Sequence, residues 1–310
     1  MNGFVNLLKP CGMSSSDAVF RVRRATGQKH CGHMGTLDPG AAGVLPVAVG
    51  KASRLFDCLL GKEKVYRAVF RFGIATDTLD SYGAVTERGG RIPSEPEILD
   101  ALPALCGDVL QRAPVFSAKK IGGKKGYELA RAGKVYEAPQ KQVRIEEIRL
   151  LGQCGEDCFA FDVRCGGGTY IRSIARDLAS ALGTVAYMRS LIRTASGNFR
   201  IADAITPEEL AECAERGEIP LLAPEFAVRE FSRADVPEAW AFRFENGVPI
   251  PETEVSFSEI SAESAEIGSD LLFRIYSKNE FFGMGALVEQ ESGGRALRLK
   301  SRIREENGHD

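Results

Sequence analysis

Apolar and polar residues alternate strictly over 64–72, Lys-Val-Tyr-Arg-Ala-Val-Phe-Arg-Phe, which puts Tyr66, Ala68, Phe70 and Phe72 on one face of a half-buried strand. Shorter apolar runs over 3–8 and 44–49 predict buried strands, and 143–151 and 159–164 predict two more. Helical spacing appears over 16–25, behind the capping serines Ser14, Ser15 and Ser16, and again over 52–60. Ser94-Glu95-Pro96-Glu97 has the spacing of a capping box and starts a helix through 105. Thr206-Pro207-Glu208-Glu209 sets a cap, an N1 proline and a capping acid in series, opening a helix that stops at Gly217. Residues 76–83 are turn-rich, 220–224 read as a linker, and short strands follow it.

Between the strand patterns lies a stretch with neither period, Gly32-His33-Met34-Gly35-Thr36-Leu37-Asp38-Pro39-Gly40, with the apolar Gly43-Val44-Leu45-Pro46-Val47 behind it. Its glycines and Pro39 predict a turn, with the single carboxylate of Asp38 at its centre. Two readings are open on the local pattern. Asp38 is a turn residue bonding its own backbone, which is the simpler account. Or it is a reactive acid raised into a partly apolar setting on a rigid scaffold.

A chain of 310 residues with 44% apolar content is long enough for two domains, divided here into 1–225 and 226–310. No apolar run is long enough for a membrane span, and no charged-then-apolar leader is read. The eight cysteines are scattered, with no Cys-x-x-Cys pair, and Cys154 and Cys158 flank acids in a poor zinc knuckle. Reduced thiols in a cytoplasmic protein are the expectation. The net charge of −2 hides a split: 226–310 hold 10 Lys and Arg against 16 Asp and Glu, leaving 30 against 26 in the remainder. A mildly basic first part permits a polyanionic partner. The basic residues concentrate over 112–140, where Lys119, Lys120, Lys124, Lys125, Arg131 and Lys134 accompany paired glycines in a loop that reads as RNA-facing. The helix over 16–25 adds Arg21, Arg23 and Arg24 on its exposed face.

The segment Gly-His-Met-Gly-Thr-Leu-Asp-Pro-Gly-Ala-Ala-Gly-Val-Leu resembles the active-site motif of the TruB family of tRNA pseudouridine synthases, which usually has Leu and Thr where this chain has Gly40 and Ala42. Further stretches are similar to the same family. Lys9-Pro10-Cys11-Gly12-Met13-Ser14-Ser15 is similar to its opening motif, with Leu8 where Asp commonly precedes the lysine. Gly168-Thr169-Tyr170-Ile171-Arg172 matches the segment that brings an arginine to the catalytic aspartate. Tyr187-Met188-Arg189-Ser190-Leu191 resembles a pocket segment, with Met188 where leucine usually lies. The basic region over 112–140 resembles the family's thumb, with Phe116 in place of its tyrosine. Residues 226–310 more loosely resemble a small PUA-type domain.

The resemblance implies an α+β fold with a central mixed, mostly antiparallel sheet flanked by helices, and a small β-rich PUA-like C-terminal domain. It implies isomerisation of a uridine in the tRNA T-loop, position 55 in the family, to pseudouridine. Asp38 is then the nucleophile, Arg172 its partner, and Tyr66 the stacking residue and a candidate proton acceptor. His33, Tyr170, Met188, Lys9 and Lys120 are the implied substrate-binding residues. The reaction breaks an N–C bond, turns the uracil and rebuilds the link through carbon, so it calls for no cofactor or metal. The expected partner is the T-arm stem-loop of tRNA, with no membrane and no obligate protein partner. The rivals are a non-catalytic tRNA-folding factor and a glycosidase-like hydrolase, the latter disfavoured because that chemistry usually takes two carboxylates.

Overall fold

In the computed structural model the chain begins with β1 (Gly3–Lys9), α1 (Ser15–Thr26), β2 (Cys31–His33), β3 (Ala42–Val49), α2 (Phe56–Leu60) and β4 (Lys64–Phe72). A small hairpin, β5 (Ile74–Thr76) and β6 (Val85–Arg88), precedes α3 (Glu95–Ala101) and β7 (Gly107–Arg112). A two-residue ribbon, β8 (Lys120–Ile121) and β9 (Lys124–Lys125), leads to β10 (Gln140–Gly155), β11 (Cys158–Cys165), α4 (Ile171–Ala181), β12 (Ala186–Ser196), β13 (Phe199–Arg200) and α5 (Pro207–Glu215). The rest is β14 (Arg233–Val236), α6 (Glu238–Glu245), β15 (Ile250–Pro251), β16 (Ser256–Ser258), β17 (Glu266–Ile267), β18 (Asp270–Ser277), β19 (Glu280–Glu289) and β20 (Arg295–Arg302). The structure describes residues 1–117, 120–121, 124–126, 136, 138–258, 266–267, 270–290 and 293–303.

The main sheet runs β1-β3-β12-β4-β11-β10-β7, with β2 paired to β3 and β13 to β12. Its pairings are antiparallel except β3 with β12, which are parallel and matched at two positions only, Ile192 with Ala42 and Arg193 with Gly43. The sheet is therefore mixed and mostly antiparallel, as expected. Strands β1 and β3 are apolar without a break because both their faces are covered. Val5, Leu7, Leu45 and Val47 join one core with Ala18, Val22, Ile174 and Leu178 from the helices. Phe4, Val44 and Ala48 point the other way, against Val228, Phe231, Leu272 and Met284.

Capping chemistry sets the helix starts. Ser14, Ser94 and Thr206 each form a complete capping box, with Asp17, Glu97 and Glu209 respectively. Two helices predicted from spacing are shorter than expected. Residues Gly50–Leu55 form a 3-10 turn before α2, and α3 gives way to a 3-10 turn over Leu102–Leu105, where Pro103 cannot continue an α-helical ladder.

The second sheet runs β15-β20-β19-β18-β14-β16, with β17 on β18, around Phe244, Phe273, Ile275, Phe282 and Leu297. The stretch read as a linker is pinned to the main sheet: Phe4 and Leu222 exchange backbone hydrogen bonds of 2.8 and 2.9 Å. All eight cysteines are free thiols, and no described helix is long and apolar enough to cross a membrane.

Candidate active site

The loop between β2 and β3 carries Asp38, and its shape is dictated from outside as much as by its own glycines. Ala41 N donates to Asp38 O at 3.0 Å, closing a turn over Pro39 and Gly40. Ser15, buried at the start of α1, both accepts from Leu37 N (2.9 Å) and donates to Leu37 O (2.8 Å). Gly12 N donates to Pro39 O at 2.8 Å. Lys9 is fully buried, its ammonium donating to the carbonyls of Pro10 (2.9 Å), Met13 (2.7 Å) and Pro39 (3.5 Å). The family resemblance implies a substrate-binding role for Lys9. In the structure it does not line the cavity and instead braces the segment that carries Asp38.

A residue that the sequence reading passed over holds the other side. Arg193 on β12 is 1% exposed. Its Nε donates to Val44 O at 2.7 Å, its Nη2 to Gly35 O at 3.1 Å and its Nη1 to Thr36 O at 3.5 Å. One guanidinium thus ties the entry of the loop to the strand that follows it. The approach is close because Gly43 has φ +112 and no side chain; a Cβ there would lie 2.2 Å from Arg193 O. Cross-strand pairing sets Arg193 beside Gly43 on one side and Tyr66 on the other. The trace it leaves in the sequence is an inverted pattern, with Ile192 exposed and Arg193 buried on the same strand.

The catalytic candidates meet as the sequence reading proposed. Arg172 enters from the first turn of α4 with its side chain 6% exposed, and its Nη2 stands 3.0 Å from Asp38 Oδ2, whose side chain is 40% exposed. The same guanidinium reaches Asp80 Oδ2 at 3.5 Å, Thr78 O at 2.9 Å and Phe116 O at 3.2 Å. Asp80 is the second residue not anticipated, since it lies in a stretch legible only as turn. It is itself held by Thr78 Oγ1 at 2.6 Å. The glycine-rich turn before α4 is anchored by Gln111, whose side chain bonds Tyr170 N at 2.8 Å and Tyr170 O at 3.1 Å.

Asp38 and Arg172 sit in a cavity of about 370 Å³ walled by Tyr66, Tyr170, Leu37, Leu191 and Arg193, with Lys64 and Lys141 also lining it. Asp38 is the one carboxylate among its described lining residues. Burial pushes the Tyr66 phenol above its ordinary range, with the Arg193 guanidinium opposing, so Tyr66 is a neutral phenol. Burial also raises Tyr170. Burial and the neighbouring Arg193 bring Lys64 down to about 8, while its ammonium donates to Leu59 O and Lys62 O.

Three other candidates lie elsewhere. Met188 packs in the main core opposite Phe70 and does not line the cavity, whereas Leu191, opposite Ala68, does; the register shift between Met188 and Ser190 puts the two on the same face of the sheet. His33 lines a separate groove with Val19, Arg23, Met34 and Phe56. Burial lowers its pKa, and its Nδ1 is buried without a hydrogen-bond partner. Lys120 is described by its backbone, which pairs with Lys125 in the thumb region; Lys119, Arg131 and Lys134 lie outside the described residues.

Comparison with known proteins adds the following. A family model described as TruB family pseudouridylate synthase (N terminal domain) matches residues 23–171, and one described as tRNA pseudouridylate synthase B C-terminal domain matches 172–221. A protein of Acaryochloris marina named tRNA pseudouridine synthase B is 39% identical over 293 residues, covering 93% of this chain and 96% of that protein. One of the same name from Pelotomaculum thermopropionicum is 45% identical over 238 residues, covering 74% of this chain and 75% of that protein. A solved H/ACA RNP bound to a substrate RNA containing 2'-deoxyuridine includes a chain that superposes with TM-score 0.74 at 22% identity, covering 98% of this chain and 86% of that one. A Cbf5-Nop10-Gar1 complex gives 0.73 at 24% identity, covering 97% and 85%. At these identities the two structures speak for the fold.

Proposed function

The chain belongs to the TruB family of pseudouridine synthases, and on that premise we propose that it isomerises uridine in the T-loop of tRNA, at position 55, with Asp38 as the nucleophile. It is a tRNA pseudouridine synthase. The observation that supports the residue roles is the Asp38–Arg172 pair at 3.0 Å, set in a cavity with no second carboxylate among its described lining residues, while the position rests on the family alone. Two-carboxylate glycoside hydrolysis has no partner acid there.

A uridine reaches such a cavity only after leaving its stack. Tyr66 and Leu191 offer apolar walls for the uracil ring, and Tyr170 an aromatic one. Arg172 orients the Asp38 carboxylate and stabilises its charge. The carboxylate serves either addition at C1′ or removal of the C2′ proton as the N1–C1′ bond breaks. The freed uracil turns, C5 bonds to C1′, and the C5 proton is lost while N1 gains one. A neutral Tyr66 suits stacking and hydrogen-bond donation better than action as a phenolate base. Lys141, exposed beside the cavity, suits a phosphate next to the target, and the buried ammonium of Lys64 adds positive charge to the cavity wall. The basic segment over 112–140 is read as a thumb on the stem-loop, 226–310 as a PUA-like domain, and the free thiols as those of a cytoplasmic protein.

The test is incubation of the protein with unmodified tRNA, followed by carbodiimide derivatisation and primer-extension mapping. A new stop at the T-loop uridine is expected with wild type and none with Asp38→Asn. Restructured tRNA without any derivatised position would favour the folding factor, and free uracil the hydrolase.

A further inference from the structure

Outside the cavity, the loop that carries Asp38 supports an aromatic side chain that the reaction does not account for. Tyr82 is 68% exposed, yet it is not loose. Its ring lies against Gly40, where an added Cβ would be 2.2 Å from Tyr82 Cε2. Its N–H donates to Asp80 Oδ1 at 3.0 Å, and the other oxygen of Asp80 faces Arg172 at 3.5 Å. The neighbouring Ser81 donates to Arg189 O at 2.5 Å. Tyr82 Oη is 3.7 Å from the exposed Cys11 Sγ.

Cys11 continues this surface into a shallow groove of about 530 Å³ lined by Pro10, Met13, Phe20, Arg21 and Arg24. Phe20 stands 63% exposed on the solvent face of α1, where no packing calls for an aromatic. Arg21 and Arg24 are exposed and have no ion-pair partner within 4 Å among the described residues. The one acid of the groove, Asp17, is engaged by Ser14 in the capping box. Exposed aromatic rings, one of them seated against the Asp38 loop, interleaved with guanidinium groups that close no ion pair make a surface suited to unstacked bases and their phosphates.

We propose that Tyr82 and Phe20 are stacking platforms for the unpaired nucleotides next to the target uridine, with Arg21 and Arg24 on the intervening phosphates. The inference rests on the reading of tRNA as substrate. It makes Tyr82 and Phe20 residues of substrate affinity and positioning, outside the chemical step. Gly40 is then explained as well: the family's usual leucine at this position would occupy the place of the ring.

The experiment uses the full-length protein and a T-arm stem-loop RNA with 2-aminopurine next to the target uridine. With wild type, binding is expected to quench the fluorescence by stacking. Tyr82→Ala and Phe20→Ala are each expected to weaken binding about 5- to 150-fold, with the quench lost at the corresponding nucleotide. Tyr82→Phe should retain both. Neutralising Arg21 and Arg24 should lower the salt dependence of binding by up to about two phosphate contacts. Single-turnover rates at saturating enzyme should change little. Unchanged affinity and quenching in Tyr82→Ala and Phe20→Ala would overturn the proposal. Wild-type protein that binds and quenches but forms no pseudouridine would instead count against the assigned reaction.

Discussion

Arg193 Nη2 donates to the carbonyl of Gly35 at 3.1 Å, and Nε of the same buried guanidinium holds the carbonyl of Val44 at 2.7 Å. Arg193 lies within a strand, paired across the sheet with Tyr66 and Gly43, yet its side chain closes the loop that presents Asp38. Removing it takes the donor from the buried carbonyl of Val44 and from the partly buried one of Gly35. Arg193→Met is expected to cost about 2–4 kcal/mol of stability and to slow turnover together. Arg193→Lys should rescue only partly, because an ammonium cannot reproduce the planar fork. Calorimetric melting alongside single-turnover kinetics checks this. A full-rate Arg193→Met protein would show that the loop keeps its shape unaided.

Asp38→Asn keeps the size of the side chain and most turn contacts but removes the charge and the nucleophile. Turnover is expected to vanish while tRNA affinity stays within a few-fold, since affinity comes from phosphate and stacking contacts elsewhere. Pseudouridine formed per enzyme, measured beside equilibrium binding of the same tRNA, separates the two. Sustained multiple turnover would return Asp38 to the role of a turn residue.

Lys64 makes the cavity pH-dependent. Its folded pKa of about 8 lies below the ordinary lysine value of 10.5, so the fold disfavours the charged form. The penalty is fully present below about pH 8 and is relieved as pH rises towards 10.5, where the unfolded chain also deprotonates. The melting temperature of wild type relative to Lys64→Met should therefore rise across that window. RNA affinity should fall across it in wild type, and less so in Lys64→Met, as the cavity loses a positive charge. Lys62, also brought down to about 8, chiefly by burial and in part by Lys64 itself, titrates in the same window in both proteins, so only the part of its shift that Lys64 causes enters the difference. A difference in melting temperature that does not move with pH would refute the account.

The basic thumb is expected to supply affinity and not chemistry. Replacing Lys119, Lys120, Lys124 and Lys125 together with Ala should weaken tRNA binding. It should also flatten the dependence of log Kd on log salt by up to about four contacts, at about 0.7–0.9 each. Rates at saturating enzyme should hold. A collapse of the saturated rate with binding intact would give the loop a chemical role.

Gly40 and Tyr82 should behave as a coupled pair. Gly40→Leu alone places a side chain where the tyrosine ring lies and is expected to destabilise by about 1–3 kcal/mol. Adding Tyr82→Ala should recover most of that loss, since the leucine then takes the vacated space. Additive losses in the double variant would mean that the two positions do not share one volume.

Local sequence alone determined the strand of 64–72, the capped helices and the turn that carries Asp38. Each depends on neighbours within a few residues, namely an alternation, a capping box or a cluster of glycines. The motif around Asp38 and the Gly-Thr-Tyr-Ile-Arg segment also identified both members of the ion pair, because family resemblance is written in contiguous residues. Tertiary structure decided the rest. Arg193 and Tyr82 reach the Asp38 loop from positions some 40 to 155 residues away, Asp80 faces the arginine that pairs with Asp38, and no local period records these approaches. Lys9 was legible as a motif residue, but only its burial against three carbonyls shows that it braces the backbone. Leu191 reaches the cavity wall because a register shift after Met188 turns it onto the face that Met188 already occupies, opposite Ala68, and composition carries no trace of a shift.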